Sequence, residues 1–204
     1  STTIIRDKNV QWNKDIGEQH PDDWDEFEKI YESVPIVHGS INKTVDYCLK
    51  DGFAVTTDNE AAQIILDDFM RSQNFDILLR RITRDLLVYG NAFVEVVKDE
   101  SGSVAKLKPV HPKTMYVKRN ENGALEGYSQ WTGQLGKKAV PLSPDQIAHF
   151  KHNPLADKAY GMSAIKTVQK ILNAKLNTEQ DTATLINRKA GAPMHIKLGN
   201  DLLP

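Results

Sequence analysis

The chain has 204 residues, 40% of them apolar, enough to bury one core or two. Its 26 lysines and arginines nearly cancel 27 aspartates and glutamates, so no whole-chain positive field grips phosphates by counterion release, which argues against tight sequence-independent DNA binding. One cysteine, Cys48, rules out an internal disulfide framework and a multi-cysteine zinc site, and no apolar run approaches the roughly 18 residues that cross a membrane.

Residues 1–14 show no helical period and are expected to form an extended arm. From Lys14 to Ser33 eight acids stand against two lysines. Within that stretch Trp24, Phe27, Ile30 and Tyr31 recur at helical spacing after Pro21-Asp22-Asp23, so a short helix with an acidic outer face is predicted. A metal cluster at Asp22, Asp23 and Asp25 is the sharper alternative, but helical spacing spreads those carboxylates around the cylinder. Pro35 opens a second helix with the stripe Val37, Ile41, Val45 and Cys48 or Leu49, which reads Cys48 as a buried small hydrophobe. Gly52 ends it. Phe53 to Val55 reads as a short strand, and Thr57 with Glu60 as the capping box of a third helix whose apolar face is Ala61, Ile65 and Phe69. A fourth helix carries Phe75, Leu78 or Leu79, Ile82, Leu86 and Tyr89 on one side.

At YGNAFVEVV the period changes from helical to alternating. Gly90 and Asn91, the residue types most tolerant of positive φ, are expected to stop the helix and turn the chain. Short strands follow in AFVEVV, VAKLKPV, TMYVKR, LEGYSQW and QIAHFKH, separated by DESG, HPK, NENG and a loop over 133–144. The expected class is α+β: a helical layer, one antiparallel meander resting on it, then a long helix.

Catalytic and metal motifs are scarce. His149 and His152 lie three apart on a strand and point to opposite faces, so with His111 they read as structural histidines. Ser40, Ser101, Ser103, Ser129 and Ser163 are conceivable nucleophiles, yet none sits in G-x-S-x-G, and Ser163 reads better as a helix N-cap or first-turn residue. Neither a phosphate-cradling G-x-x-x-x-G-K-[ST] loop nor a G-x-G-x-x-G turn occurs, so no enzymatic activity, cofactor or metal is expected.

From Ser163 to Lys189 no proline or glycine interrupts a helix that would be roughly 40 Å long. Its apolar seam is Ile165, Val168, Leu172, Leu176, Ala183 and Ile186, close to a seven-residue repeat, with Ile171 and Leu185 widening it and Glu179 breaking it. The opposite side is hydrated and of mixed sign. There Lys166 and Lys170, one turn apart, could meet phosphates, although a lone pair of lysines is more often a solvated face. The seam calls for another helix, either within the same subunit or from an assembly that the rod protrudes into. The start at Ser1 and the stop after the extended-looking MHIKLG suggest part of something longer.

YGNAFVEVV, LKPVHPKTMYVKR (107–119), QIAHFKH (146–152), YGMSAI (160–165) and LINRKAGAP (185–193) occur in an order that resembles the portal proteins of tailed bacteriophages and related archaeal viruses and proviruses. The resemblance covers about residues 34–200. It implies a wing over 34–160, preceded by the arm and acidic helix of 1–33, a stem helix over 161–190 and the start of a clip over 191–204. It further implies a homo-oligomeric ring, usually of twelve subunits, at one capsid vertex of a virion assembled in the host cytoplasm. Double-stranded DNA would pass through it during packaging and ejection, held weakly and without sequence preference. Terminase, major capsid and scaffolding proteins, and later head-completion or adaptor proteins at this head-tail connector, would be its partners; no membrane would be. The alternatives from the residues are an adaptor module pairing through its long helix, and a metal-dependent nucleic-acid enzyme using the acids of the first helix or the histidines of the last strand.

Overall fold

A computed structural model describes residues 12–13, 16–132 and 138–189. The chain divides into two compact units, Ser1–Thr167 and Val168–Pro204. No helix among the described residues is long and apolar enough to cross a membrane.

The first unit opens with two short strands, β1 (Trp12–Asn13) and β2 (Gly17–Glu18), followed by α1 (Trp24–Ser33). Asp23 caps α1, its carboxylate accepting the Glu26 N–H, and the helix buries Trp24, Phe27 and Ile30 as their spacing predicts. Helix α2 (Pro35–Leu49) starts with proline in its first turn, where the missing N–H costs nothing. It buries Ile41 and Val45 and half-buries Leu49, so its stripe continues four residues on, through Leu49 rather than Cys48. Cys48 is exposed, contrary to expectation.

Helix α3 (Glu60–Ser72) departs further from its sequence reading. Its cap is Asn59, which accepts the Ala62 N–H, while the Thr57 N–H donates to Gln63 Oε1. Phe53–Val55 is irregular backbone rather than a strand. Gln63 Nε2 donates to the Val55 carbonyl, and the Leu107 N–H donates to Gln73 Oε1 just past the helix. These anchors turn Gln63, Leu66, Phe69 and Met70 inward and leave Ala61, Ile64 and Ile65 outward, so the expected face of Ala61, Ile65 and Phe69 is rotated.

Helix α4 (Phe75–Tyr89) buries Leu78, Ile82, Val88 and Tyr89 and ends at Gly90, whose φ of 74° is the left-handed geometry the sequence called for. Six further strands follow: β3 (Asn91–Lys98), β4 (Val104–Val110), β5 (Met115–Arg119), β6 (Leu125–Gln130), β7 (Val140–Leu142) and β8 (Ile147–Lys151). They form two antiparallel sheets, not one meander: β4-β3-β8, and β1-β2-β5-β6-β7. Asn91 through Val94 are all buried, so β3 is apolar on both faces and needs cover on each. Ala92 and Val94 pack on Leu78 and Ile82 of α4. Phe93, on the other face, meets Tyr128 of the second sheet at 6.2 Å between ring centroids. A 3-10 turn at Pro112–Thr114 carries the chain from one sheet to the other, and β8 returns to pair with β3. The class is α+β, as expected.

The second unit contains α5 (Gln169–Lys189), about 30 Å long at 1.5 Å per residue. It starts later than Ser163: residues 164–168 form turns, and the Ser163 hydroxyl and Ala164 N–H bond back to carbonyls of α4.

Candidate functional site: the junction at the root of the long helix

Three of the stretches that carry the family resemblance converge in the first unit. Asn91 opens β3 opposite Lys151 of β8, and the register then places His149 opposite Phe93. The Asn91 side chain is 0% exposed and fully engaged. Its Nδ2 donates to the carbonyls of Tyr89 (3.0 Å) and Gly161 (3.3 Å). Its Oδ1 accepts from the Gly161 N–H (2.9 Å) and faces His149 Nε2 at 3.0 Å. Two donor bonds fix which end of the amide is oxygen, so His149 must carry its hydrogen on Nε2. Asn91 was expected to help turn the chain at positive φ; it keeps strand geometry and acts through its side chain instead.

Beyond β8 the chain folds back on the same place. The His152 N–H donates to the Gly90 carbonyl, Met162 N–H to the His152 carbonyl and Ala164 N–H to the Leu87 carbonyl. Ser163 Oγ donates to the Val88 carbonyl and accepts the Ile165 N–H. Ser163 is therefore no cap of a long helix: it ties off α4, whose last carbonyls lack partners within their own helix. Tyr160, completely enclosed, donates its hydroxyl to the Glu18 carbonyl and accepts the Val117 N–H, pinning the junction to the second sheet. Its burial pushes the phenol far above its ordinary range.

Chemically this is a structural junction. Ser163 spends its hydroxyl on a backbone carbonyl, and Ser129 donates its own to the Ile16 carbonyl. His149 stacks on Phe93 at 4.1 Å, and burial lowers its pKa to about 3, with Lys151 adding to the effect. His152 engages the Met162 carbonyl through Nδ1, and His111 caps the 3-10 turn at Lys113. No group of three or more potential metal ligands occurs among the described residues.

The acidic segment closes over this junction through ion pairs. Glu18 takes Arg119 in a two-nitrogen contact, with both side chains largely buried. Lys113 bridges Asp25 and Glu28, and Lys166 meets Asp22. Each aspartate of the conjectured metal cluster thus has an occupation: Asp22 with Lys166, Asp23 as the α1 cap, Asp25 with Lys113. The sequence flagged the charge excess without its partners, because the cations lie as far as 144 positions away.

The seam residues fall into different settings. Ile165 is buried in the first unit. In the second, Leu172 is buried and Leu176 half-buried, while Val168, Ala183 and Ile186 are exposed, and so are Ile171 and Leu185 beside them. Lys170 is exposed, whereas Lys166 already has its carboxylate.

A family model described as "Phage portal protein" matches residues 43–202, most of the chain. The chain belongs to the phage portal protein family. Solved structures agree at the level of fold. A chain of "Virion of native gene transfer agent (GTA) particle" superposes on this portal-family chain with TM-score 0.68 at 18% identity, over 88% of this chain and 47% of that one. A chain of "Neck of native GTA particle computed with C12 symmetry" gives 0.64 at 18%, over 87% and 47%. A chain of "Neck of empty GTA particle computed with C6 symmetry" gives 0.63 at 21%, over 79% and 46%. The chain thus spans about half the length of these relatives. No curated protein matches it.

Proposed function

We propose that this chain is the wing, first stem helix and beginning of the clip of a structural portal subunit, which forms a ring at one capsid vertex and lets double-stranded DNA pass during packaging and ejection. In this reading residues 1–33 are an arm and acidic brace, 34–160 the wing, 161–190 the stem and 191–204 the start of the clip. The reading draws its main support from α5. In a chain of this family, Ile171 and Ile186 are 71% and 65% exposed on a helix whose seam is buried only at Leu172 and half-buried at Leu176 among its described residues. Such a strip is sheltered by a second helix, and pairs of that kind repeated about an axis make a tube. Ile165, Val168, Leu172, Leu176, Ala183 and Ile186 are then the packing seam.

The charge balance suits a conduit. A near-neutral chain does not immobilise DNA by phosphate neutralisation, and Lys166, the cation nearest the root of the stem, shares its charge with Asp22. Lys166 and Lys170 are the candidates for passing contacts with the DNA backbone. Terminase during packaging, and head-completion or adaptor proteins afterwards, are the partners this role requires, besides the capsid and scaffolding proteins around the vertex. The role asks for no catalysis by the subunit itself. Negative-stain imaging and mass measurement of the complete protein test the proposal. Closed rings of about twelve copies are expected, and a complete protein found only as monomers at physiological salt overturns it.

A further inference from the structure

The β5–β6 hairpin turns through Asn120-Glu121-Asn122-Gly123, and Asn122-Gly123 is the sole Asn-Gly pair of the chain. Backbone bonds close the turn: the Gly123 N–H donates to the Asn120 carbonyl at 3.0 Å, and the Asn120 N–H to the Ala124 carbonyl at 2.9 Å. Asn120 also holds the turn from within, its Oδ1 accepting the N–H groups of Asn122 and Ala124. Asn122 differs. It is exposed, and its own carboxamide has no hydrogen-bond partner among the described residues.

Other asparagines are tied down. Asn91 is buried with its amide engaged, Asn59 caps α3, and Asn42 accepts from Tyr31 and Arg84. Those of α5 precede N–H groups held in a helical ladder. Asn153 precedes Pro154, whose nitrogen carries no proton to lose. At Asn122 the following residue is a glycine, with no side chain to crowd a ring closure and with backbone freedom to leave its φ of 81°.

We propose that Asn122 is a site of spontaneous covalent modification, at which the main-chain nitrogen of Gly123 closes a succinimide ring and water opens it to aspartate or isoaspartate. Hydroxide takes the Gly123 N–H proton, the nitrogen attacks Asn122 Cγ, and the new N–Cγ bond replaces the bond from Cγ to the amide nitrogen. That nitrogen takes a proton from water and leaves as ammonia. Water then adds to one ring carbonyl. Cleavage of the N–Cγ bond gives aspartate, and cleavage of the original main-chain bond gives isoaspartate; nothing is oxidised or reduced. Either product sets a new carboxylate beside the exposed Glu121 and Glu126. Isoaspartate also lengthens the main chain by one carbon between the two N–H groups that Asn120 Oδ1 gathers.

The test incubates the folded complete protein at mildly alkaline pH beside the free peptide of residues 119–126. Both are followed by peptide mass spectrometry, with fragmentation that separates isoaspartate from aspartate. Asn122 is expected to gain the mass of an amide-to-acid exchange ahead of every other asparagine. Isoaspartate should outweigh aspartate, because the main-chain carbonyl of the ring is the more electrophilic. Two exposed turn bonds, from Gly123 and Ala124 to Asn120, must open first; at about tenfold each, the folded protein should convert no slower than about one-hundredth of the peptide rate. Slower conversion overturns the proposal, since the turn would then protect the site. So does another asparagine that converts first, or aspartate formed without isoaspartate, which would mean direct hydrolysis. The portal reading is independent of each of these outcomes.

Discussion

Gly90 lies so close to Met162 that a Cβ placed on it would stand 2.4 Å from the Met162 carbonyl carbon and 2.5 Å from the Ser163 nitrogen. Both neighbours are backbone, pinned by Ser163 Oγ to the Val88 carbonyl and by the Ala164 N–H to the Leu87 carbonyl, so neither can swing aside. Gly90 also has a φ of 74°, which costs an L-residue roughly 1–2 kcal/mol even without a clash. Adding the strain of overpacking, Gly90→Ala is expected to destabilise the fold by about 3 kcal/mol or more, read by chemical denaturation. Ala at Gly102, where a Cβ would meet nothing within 4 Å though φ is 84°, should lose only the conformational part. Equal losses at the two sites would show that the junction does not pack as described.

Asn91 makes a different demand, because its amide serves the Tyr89 and Gly161 carbonyls, the Gly161 N–H and His149 at once. Asn91→Leu preserves the size of the side chain and abandons all four groups inside the protein. A buried group left without its partner loses about 1–3 kcal/mol, so a total of about 3 kcal/mol or more is expected. Asn91→Asp keeps the acceptor side but removes both donor bonds and buries a charge, so it should not rescue. A leucine variant as stable as the unaltered protein would remove Asn91 from its place as the hub.

The sequence announced the parts of this junction more readily than their meeting. Spacing alone located α1, α2 and α4, the proline start of α2 and the glycine stop of α4, since each depends on residues within a few positions. The docking of Gly161 onto Gly90 joins residues about 70 apart and leaves no periodic trace. The same holds for the split into two sheets, which β3 enforces by being buried on both faces and so drawing β8 back across the chain. Cys48 and the turned face of α3 were misread because period identifies a stripe without saying whether a neighbour exists to cover it. The pairing of the acidic segment with Lys113, Arg119 and Lys166 was illegible for the same reason.

Asp85, on α4 and only 17% exposed, has its carboxyl pushed up to about 6 by burial, with Arg81 and Arg84 pulling the other way. Asp85 also acts on the buried Tyr89 phenol one turn on, which Glu28 and Glu32 of α1 influence as well. The native state therefore keeps a proton that the unfolded chain has released near pH 4. The resulting stabilisation is complete below that pH and is lost as pH rises through about 6. The shift corresponds to about 3 kcal/mol. Asp85→Asn should gain on the unaltered protein between pH 4 and 7 by up to about that amount, measured as the difference of two urea titrations at each pH. A difference that stays flat would mean the carboxyl is solvated.

His149 works in the opposite direction over an overlapping window. Burial between Phe93 and the aromatic rings of Tyr128 and Tyr160 brings its pKa down to about 3, with Lys151 contributing repulsion. Nε2–H is already given to Asn91 Oδ1, so protonation would have to occur at Nδ1, and the new charge would sit in that aromatic enclosure. Unfolded, the ring takes a proton near pH 6.5, so its contribution is intact above that value and is lost as pH falls toward 3. The ring is expected to stay neutral, with its hydrogen on Nε2, from pH 7 down to about 5, followed by the imidazole nitrogen shifts in NMR. Stability over that interval should decline by up to about 2 kcal/mol on its account, since the unfolded chain gains the proton and the native chain does not. An imidazole that titrates near 6.5 in the folded protein would open the junction to water and remove the physical basis for its rigidity.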